Sequence, residues 1–341
     1  MTQKKNILII RLSAIGDVVF SSPLIKALRR SYPDANISWL VEPAAAPLLK
    51  NNPDIDELII WPKAEWKQLW KQRKYLTLLR ALGLLRKRLK AKNFDMAIDL
   101  QGLLKSRIWA LWSGAPERIG LGSKEGSARF MSRVISRQGD DPRIGSEYYH
   151  LAREMKLDVA DFAMDIALSD EDISYAAEFR HNSEYAVICP FTTRPQKHWL
   201  ASRWPELVQQ IMRQQGLPVI MLGGPDDVTA ATHIQNENSE IINLVGKSSL
   251  TQTAAIIKQS SLLVGVDTGL THMGIAFNVP TLALFGSTCP YSDTTHENAR
   301  VLYHKMDCSP CRRNPSCDGD FTCMKKITTE EIMQNVSEVM P

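Results

Sequence analysis

An apolar run covers residues 7–12 with Arg11 as its one polar member, and an amphipathic segment at 18–32 follows it after a short turn. Such runs are typical of strands in a parallel sheet whose two faces are both covered by helices. The alternation continues, with strands predicted at 37–41, 57–61 and 95–99 and helices at 44–50, 65–92 and 105–112. This order predicts a doubly wound parallel sheet.

The same alternation restarts after a polar stretch at 166–184, which we interpret as a link. A length of 341 residues suits two domains of about 150 residues each. The second half has strands predicted at 185–189, 218–222, 241–245, 262–266 and, as the last strand, 281–285, with helices at 204–215, 251–259 and 270–277. We predict an α/β fold of two Rossmann-like domains facing across a cleft (GT-B), at 1–170 and 180–325, with a C-terminal helix at 326–341. One large doubly wound domain is the alternative.

Charge is divided unevenly between the two halves. Residues 1–165 contain 28 Lys and Arg against 18 Asp and Glu, whereas the remainder contains 13 against 19. The first half therefore has a net charge of +10 and the second half a net charge of −6. A basic half of this kind suggests a polyanionic partner.

Most of that excess comes from residues 63–92, which hold eleven Lys and Arg, a single acid (Glu65) and interleaved aromatic residues. A solvated helix face usually mixes the two signs. A one-sign stretch with aromatic residues therefore favours docking on phosphorylated lipid or an anionic membrane surface. Nucleic acid would suit the same charges, but no nucleic-acid-binding motif accompanies them, so we predict no nucleic-acid partner.

The apolar run near the start is similar to a signal peptide only superficially. Arg11 and Asp17 interrupt it, and no small-residue cleavage site follows. Elsewhere no apolar run approaches the roughly 20 residues that span a bilayer. We therefore expect a cytoplasmic protein.

Asp17 lies at the turn between the first predicted strand and its helix. In open α/β sheets, ligands bind at the carboxyl ends of the strands, and a carboxylate there can remove a proton from an attacking hydroxyl. Its residue type suits helix capping equally well. Position alone leaves both roles open.

A turn after the first strand of the second half suits phosphate. Thr192, Thr193 and Lys197 lie in it, and hydroxyls, backbone N–H groups and an ammonium can all hold phosphate oxygens. Taken alone, the same residues would indicate an ordinary loop with a solvated lysine.

A second turn, Asp267-Thr268-Gly269, joins a predicted strand to a helix whose N-terminus suits a diphosphate. Asp267 has the wrong sign for phosphate and suits a sugar hydroxyl. His272 falls in the first helical turn, where a packed histidine is as consistent with the sequence as a ligand-binding one. Neither half contains the glycine fingerprint of dinucleotide-binding or P-loop proteins, which disfavours nicotinamide oxidoreductases.

Four of the six cysteines lie close together near the C-terminus: Cys308, Cys311, Cys317 and Cys323. A cytosolic setting argues against structural disulfides there. Four thiols suffice for a zinc site, but the later spacings differ from those of a zinc finger, and a packed loop is the interpretation we favour. We assign no metal ligand.

Four segments together resemble the bacterial ADP-heptose:lipopolysaccharide heptosyltransferases, in the family's order and across nearly the whole chain. The first, third and fourth are most similar to heptosyltransferase I, which acts on Kdo, whereas the cysteine-rich tail is more similar to heptosyltransferase II. The segments are Arg11-Leu12-Ser13-Ala14-Ile15-Gly16-Asp17-Val18, Asp99-Leu100-Gln101-Gly102-Leu103-Leu104-Lys105-Ser106, Thr192-Thr193-Arg194 with Lys197-His198-Trp199, and Asp267-Thr268-Gly269-Leu270-Thr271-His272.

The resemblance implies an inverting glycosyltransferase that uses no cofactor and no metal for chemistry. Asp17 matches the family's catalytic base. The positions that match donor-binding residues are Thr192, Thr193, Lys197, Asp267, Thr268, Gly269 and His272, and those that match the acceptor-binding regions are Lys105 and Arg118.

The reaction so implied moves L-glycero-D-manno-heptose from ADP-heptose to Kdo of the lipopolysaccharide inner core. The acceptor would be Kdo-lipid A, met at the inner leaflet membrane surface by a cytoplasmic enzyme peripheral to the inner face of the inner membrane. Addition of a later heptose (II/III type) and use of another nucleotide sugar by a GT-B enzyme are the alternatives. The rival from a different class is a non-enzymatic module that binds a polyanion through its basic face.

Overall fold

The computed structural model describes residues 4–122, 125–137, 141–180, 184–287, 291, 293–311 and 314–340. The chain divides into two compact units. The first comprises Met1–Asp140 and Gly145–Ala167, and the second comprises Asp141–Ile144 and Leu168–Pro341.

A parallel sheet forms the centre of the first unit. Its strands are β1 (Asn6–Ile10), β2 (Asn36–Val41), β3 (Glu57–Ile60), β4 (Met96–Asp99), β5 (Glu117–Leu121) and β6 (Arg133–Ile135). Within the described residues the strand order is β3-β2-β1-β4-β5-β6. This is the doubly wound order, which changes direction between β1 and β4 and so creates a ligand-binding crevice beyond their carboxyl ends.

Helices connect these strands: α1 (Ile15–Ser21), α2 (Pro23–Ser31), α3 (Pro47–Lys50), α4 (Lys63–Lys71), α5 (Tyr75–Ala91), α6 (Leu104–Ser113) and α7 (Ser146–Glu154). The helix predicted at 18–32 is two helices, because Pro23 has no N–H with which to continue the first one. The helix predicted at 65–92 is also two, α4 and α5, separated by a turn in which Arg73 has a φ of 57°.

The second unit repeats the design. Its strands are β7 (Ala186–Cys189), β8 (Val219–Met221), β9 (Ile242–Asn243), β10 (Leu262–Val266), β11 (Thr281–Phe285) and β12 (Ala299–Tyr303). In the described residues they lie in the order β12-β11-β10-β7-β8-β9, all parallel. The prediction that 281–285 is the last strand is wrong, since β12 follows it at the sheet edge.

The helices of this unit are α8 (Asp170–Ala177), α9 (Arg203–Gln215), α10 (Val228–Glu237), α11 (Leu250–Lys258), α12 (Gly269–Ala276), α13 (Thr322–Lys325) and α14 (Thr329–Val339). The polar stretch interpreted as a link contains α8. Ser169 begins that helix with a reciprocal cap, in which its hydroxyl accepts from the Asp172 N–H and the Asp172 carboxylate accepts from the Ser169 N–H.

Each sheet is buried between its helices. All five residues of β10 and all five of β11 are buried, and in β1 every residue after Asn6 is buried. The predicted α/β fold of two Rossmann-like domains is confirmed. In the parts of the chain that the structure describes, no helix is both long enough and apolar enough to cross a membrane.

Candidate active site

Side chains from four neighbouring strand ends meet at one edge of the first sheet. Because β3, β2, β1 and β4 are parallel neighbours, the loops that follow them leave from the same edge. We call the resulting group the first-unit cluster: Arg11 and Asp17 follow β1, Glu42 follows β2, Lys63 follows β3, and Lys105 follows β4.

Asp17 occupies the first turn of α1 with 41% of its side chain exposed. Its Oδ2 accepts the N–H of Ala14 at 3.0 Å, so the capping contact is present. The same oxygen lies 2.5 Å from Nη2 of Arg11, a buried residue that also donates through Nη1 to the Leu100 carbonyl at 2.9 Å. The carboxylate is thus held from two sides and is still partly open to solvent.

Glu42 links two lysines at the same edge of the sheet. Its Oε1 lies 3.2 Å from Nζ of Lys63 and 3.9 Å from Nζ of Lys105, and it accepts a hydrogen bond from the Ser13 hydroxyl at 3.2 Å. Burial lowers the pKa of Lys105, and the nearby charge of Lys63 lowers it further. Two ammonium groups that share one carboxylate favour the approach of a further anion.

The loop that leads from β4 to Lys105 is fixed by a buried ion pair. Asp99, at the end of β4, accepts the N–H groups of Gln101 and Gly102 and lies 3.4 Å from Nε of Arg107. Arg107 in turn donates to the Leu121 carbonyl at 2.6 Å. Gly102 has a φ of +69°, a backbone conformation that favours glycine, and this lets the loop turn sharply into α6.

Arg118 lies away from this group. Arg118 lies near the amino end of β5, where it pairs with Ala97. The last residue of β4, Asp99, pairs with Gly120 instead. Its guanidinium donates to the carbonyls of Ala115 and Phe130 at 2.6 and 2.8 Å. The structure therefore does not bring Arg118 together with Lys105.

The second-unit cluster comprises Thr192, Lys197, Asp267 and His272, and it forms at the matching edge of the second sheet. Strands β7 and β10 are direct parallel neighbours, with Cys189 opposite Gly265. The loop after β7 carries Thr192 and Lys197, and the loop after β10 carries Asp267 and, one turn into α12, His272. Two of the segments that resemble the heptosyltransferases thus lie side by side.

An ion pair joins these two loops. Nζ of Lys197 lies 2.6 Å from Oδ2 of Asp267, and Nε2 of His272 lies 3.3 Å from its Oδ1. Burial alone would raise the pKa of Asp267. The hydrogen bond and charge of His272, together with the charge of Lys197, outweigh burial and hold the pKa of that carboxyl well below its ordinary range.

Further hydrogen bonds hold the β7 loop against β10. The Thr192 hydroxyl donates to the Asp267 carbonyl at 3.3 Å, and the His198 ring contacts the Thr192 carbonyl at 2.8 Å. Thr193 is exposed at the tip of the loop. Thr268 has an extended backbone as the N-cap of α12, and Gly269 begins the helix, so the helix N-terminus lies beside the Lys197–Asp267 pair.

The four clustered cysteines are free thiols; Cys323 is buried and the other three are half-buried. Burial raises the pKa of Cys311, and the neighbouring Cys317 and Cys308 raise it further. Within the described ranges, no group of three or more His, Cys, Asp or Glu side chains is arranged to hold a metal ion.

Three members of the first-unit cluster were not singled out from the sequence: Arg11, Glu42 and Lys63. Glu42 could have been identified in the same way as Asp17, because it is the polar residue directly after a buried strand and ligands bind at the carboxyl ends of such strands. Lys63 was one of eleven basic residues in its stretch, and nothing in the sequence separated it from the others. Arg11 lies in an apolar run. A buried arginine is unexpected there unless an acidic partner is known, and that partner, Asp17, became apparent only from the structure.

Comparison with known proteins places the chain in a family. The model described as "Glycosyltransferase family 9 (heptosyltransferase)" matches residues 82–320. The lipopolysaccharide core heptosyltransferase OpsX of Haemophilus influenzae is 27% identical over 88% of this chain and 88% of its own length. Lipopolysaccharide heptosyltransferase 1 of Pseudomonas aeruginosa is 26% identical over 95% and 89%, and lipopolysaccharide heptosyltransferase 2 of Escherichia coli is 26% identical over 98% of both chains.

Solved structures share the fold. A family 9 glycosyltransferase from Veillonella parvula superposes with a TM-score of 0.83 at 22% identity, covering 99% of this chain and 98% of its own. ADP-heptose LPS heptosyltransferase II of E. coli superposes with a TM-score of 0.75 at 23% identity, covering 98% of both. With the family model matching well over half of its length, the chain belongs to glycosyltransferase family 9, the heptosyltransferases, and is a glycosyltransferase.

Proposed function

We propose that this enzyme transfers L-glycero-D-manno-heptose from ADP-heptose to Kdo of the lipopolysaccharide inner core, with inversion at the anomeric carbon. The observation that carries the proposal is the second-unit cluster, where Lys197, Asp267 and the N-terminus of α12 meet. A diphosphate and a sugar hydroxyl are the ligands that such a group suits. The relatives named above as lipopolysaccharide heptosyltransferases support the same donor and acceptor class.

Donor binding is assigned to the second unit. Lys197, the hydroxyls of Thr192 and Thr193 and the N–H groups at Thr268 and Gly269 would hold the diphosphate of ADP-heptose. Asp267, ionised and hydrogen-bonded to His272, would accept a hydrogen bond from a heptose hydroxyl. Because Lys197 is already paired with Asp267, it is held close to where the diphosphate is proposed to lie.

In the proposed reaction, the acceptor hydroxyl attacks the anomeric carbon from the face opposite the diphosphate. A bond forms between that carbon and the hydroxyl oxygen, while the bond to the diphosphate oxygen breaks and its electron pair leaves with ADP. Asp17 takes the hydroxyl proton. Both contacts described for its carboxylate are made to Oδ2, so we assign Oδ1 to the acceptor. Lys197 and the α12 N-terminus stabilise the charge that develops on ADP.

Acceptor binding is assigned to the first unit. Kdo carries a carboxylate, and Lys63 and Lys105 share the single carboxylate of Glu42, so an anionic sugar would relieve the repulsion between the two ammonium groups. Arg118 stays a weaker assignment, because its guanidinium is engaged by two backbone carbonyls. We place the enzyme on the cytoplasmic side, at the inner face of the inner membrane, where a nucleotide-activated donor and a lipid-linked acceptor can meet.

A second candidate is addition of a later heptose. The match to lipopolysaccharide heptosyltransferase 2 of E. coli covers 98% of both chains, and the cysteine-rich tail resembles that type. The fold and the proposed chemistry would be unchanged; only the acceptor sugar would differ.

One experiment tests both candidates. The purified enzyme is incubated with ADP-heptose and with core lipids that end in Kdo, phosphorylated Kdo or a first heptose, and the products are weighed by mass spectrometry. A gain of one heptose on a Kdo-ended lipid is the expected result, and a gain only on the heptose-ended lipid would favour the second candidate. Release of sugar from uridine or guanosine donors, with none from ADP-heptose, would refute both.

A further inference from the structure

An unusual surface lies on the hairpin made of α4, the turn at 72–74 and α5, which we call the basic hairpin. No residue of α4 is buried, and only Leu85 and Leu89 are buried in α5. The hairpin is joined to the first unit through Leu85 and Leu89, which belong to its core, and through Trp66, which packs against Trp61 and Trp109 with ring centroids 6.3 and 5.9 Å apart. The far end of the hairpin therefore projects from the unit.

Helix α5 has apolar residues on two opposite faces. Leu78, Leu82, Leu85 and Leu89 follow one another at helical spacing on the face turned toward the unit, where they are half-buried or buried. Leu76, Leu79 and Leu84 lie on the outer face and are 74%, 63% and 69% exposed. A helix that only covered a core would have polar residues on this outer face.

Aromatic residues extend the exposed apolar face at the tip. Trp70 lies in the last turn of α4 with 61% of its surface exposed, and Tyr75 begins α5 with 45% exposed. Their rings meet edge to face with centroids 5.1 Å apart. Trp70, Tyr75, Leu76 and Leu79 thus form an apolar tip, with Leu84 exposed further along α5, and tryptophan and tyrosine are the residues that membrane interfaces favour.

Cations surround this tip with few acids to balance them. Arg88 and Lys92 pair with Glu57, and Lys63 pairs with Glu42. Among the described residues, the remaining eight basic side chains of the hairpin have no ion-pair partner: Lys67, Lys71, Arg73, Lys74, Arg80, Arg86, Lys87 and Lys90. The hairpin therefore presents apolar side chains and uncompensated positive charge together.

We propose that the basic hairpin docks the enzyme on an anionic phospholipid bilayer, with the apolar tip inserted among the acyl chains and the cations at the headgroups. Charge complementarity and the inserted apolar groups both favour this occupant. A nucleic acid would match the charges but would leave the exposed leucines in water. A second copy of the chain that docked through the same hairpin would bring two surfaces of the same charge together.

Docking would also orient the first-unit cluster. Lys63 begins α4 and belongs to that cluster, while Trp70 at the other end of α4 belongs to the tip. At about 1.5 Å per residue, the nine-residue α4 spans roughly 13 Å, so an acceptor anchored by its acyl chains can raise its sugar from the bilayer to Lys63 and Lys105. This step rests on the proposed function; docking itself does not.

Vesicle flotation with the full chain tests the docking. Protein is mixed with vesicles of phosphatidylcholine alone or of phosphatidylcholine with phosphatidylglycerol, and binding to the anionic vesicles only is expected. The double variant Leu76→Ser/Leu79→Ser should lower the partition coefficient by about tenfold for each inserted leucine. The matched control Ile173→Ser/Val228→Ser removes two exposed apolar residues from the second unit and should bind as the wild type does.

Charge is tested in the same way. The triple variant Lys71→Gln/Lys74→Gln/Lys87→Gln should lower partitioning, since each basic residue near an anionic surface contributes about fivefold. Its control, Arg213→Gln/Lys247→Gln/Lys326→Gln, removes three exposed charges from the second unit and should have no effect. Equal losses in both triple variants would mean that net charge alone drives binding, and would overturn the proposal.

Insertion has its own readout. Phospholipids brominated on the acyl chains should quench tryptophan fluorescence in the bound wild type, and Trp70→Phe should remove much of that quenching while binding persists. Absence of quenching would overturn insertion. Two further results would also overturn the proposal. If Leu76→Ser/Leu79→Ser binds vesicles as the wild type does but no longer forms a dimer in sedimentation, the tip is a self-association surface. If the variant keeps vesicle binding but loses RNA binding, the tip contacts nucleic acid instead.

Activity separates this proposal from the proposed function. With a deacylated, water-soluble core acceptor, Leu76→Ser/Leu79→Ser should turn over as the wild type does, whereas with a lipid acceptor in anionic vesicles its rate should fall with its binding. If no acceptor receives heptose from any variant, the proposed function fails, and the flotation and quenching results still decide the docking.

Discussion

Asp17 is at once a helix cap and an exposed carboxylate, and a single substitution can separate the two roles. Asparagine keeps an oxygen that can accept the Ala14 N–H, so Asp17→Asn should leave α1 in place. It removes the negative charge that takes the proton. General-base assistance typically contributes about 10²–10⁴-fold, so turnover should fall by about that factor.

The measurement is kcat with ADP-heptose and a core acceptor, beside the affinity for ADP-heptose by calorimetry. Donor affinity should stay unchanged, because Asp17 is assigned to the acceptor hydroxyl. The exposed Asp34→Asn variant is the matched control and should behave as the wild type does. Near-normal turnover in Asp17→Asn would reduce Asp17 to a cap.

Lys197 is predicted to act on the donor instead. Lys197→Ala removes a charged donor from the diphosphate, and hydrogen bonds to charged groups contribute about 1.5–3 kcal/mol. Affinity for ADP should therefore fall by roughly tenfold to a hundredfold. Isothermal calorimetry with ADP gives the change directly.

A control for Lys197 is available on the same unit. Lys247 is exposed and donates only to the nearby Asn243 carbonyl in the described structure, so Lys247→Ala should leave ADP affinity unchanged. If Lys197→Ala binds ADP as the wild type does, the lysine serves only the ion pair with Asp267.

Asp267 should make folding stability depend on pH in one direction. Its folded pKa is held below the ordinary value of about 3.9, so its stabilising contribution is complete above that value and is lost as the pH falls through the lowered pKa. Asp267→Asn should reduce the free energy of unfolding near neutral pH by about 3–5 kcal/mol, because it breaks a buried pair.

Urea denaturation between neutral pH and about pH 3 checks this prediction. The difference between wild type and Asp267→Asn should be constant down to about pH 4 and shrink below it. The exposed Asp226→Asn variant serves as the control and should track the wild type throughout. A difference that grows with acidity would contradict the assigned direction of the pKa change.

At the scale of residues, the sequence predicted where these side chains lie in the fold better than it predicted which partners they meet. Asp17, Lys197, Asp267 and His272 follow strand ends, and this local fact is visible in the sequence. Which charges meet across loops far apart in the chain is not a local fact. The pairing of Lys197 with Asp267 became apparent only from the fold.

Gly265 shows how packing between elements constrains the two loops of the second-unit cluster. Gly265 lies on β10, and a Cβ there would stand 2.2 Å from Oγ1 of Thr271 and 2.9 Å from Cβ of Cys189. Overpacking of this kind typically costs about 1–3 kcal/mol. Gly265→Ala should therefore lower the free energy of unfolding by about that amount.

Gly83 is the matched control, at which substitution by alanine should raise the free energy of unfolding instead of lowering it. It lies inside α5 with nothing within 4 Å of its Cβ position. Gly83→Ala should stabilise by about 0.5–1 kcal/mol, since alanine is the better helix former. Urea unfolding of both variants gives the comparison. Equal effects would mean that the crowding at Gly265 is relieved by backbone movement at little cost.

Elements with strong apolar periodicity were predicted within a residue or two of their bounds, and 262–266 and 281–285 match β10 and β11. The missed elements lack that signal. Strand β12 lies at the sheet edge with mixed burial, so its sequence alternates weakly. Helix α8 was taken for a link because it is polar, although Ser169 and Asp172 carry the capping signature that could have identified it.

Arg118 was misplaced because strand β5, which contains it, was not predicted from the sequence. Without β5, its sequence neighbourhood suggested only that it follows β4 and α6 in the chain. In the structure it lies near the amino end of β5, which is the end of a parallel strand away from the usual ligand site. Strand direction, more than distance along the chain, decides which edge of the sheet a side chain reaches.

For the whole molecule, the charge split predicts which substrate should respond to salt. The half that contains the first-unit cluster and the basic hairpin has a net charge of +10, and the other half has a net charge of −6. A long-range positive potential attracts a polyanionic acceptor before contact and weakens when salt shortens the Debye length from about 10 Å at 0.1 M to about 3 Å at 1 M. The donor should depend more on direct contacts such as that of Lys197, which salt screens less.

The corresponding measurement is kcat/KM for each substrate over a range of sodium chloride concentrations. With the deacylated acceptor, which excludes any effect of membrane docking, kcat/KM for the acceptor should fall steeply as salt rises, whereas kcat/KM for ADP-heptose should change little. Sodium sulfate at matched ionic strength controls for specific effects of chloride. Equal slopes for the two substrates would mean that the basic half does not steer the acceptor, and that its positive charge acts mainly at the membrane surface.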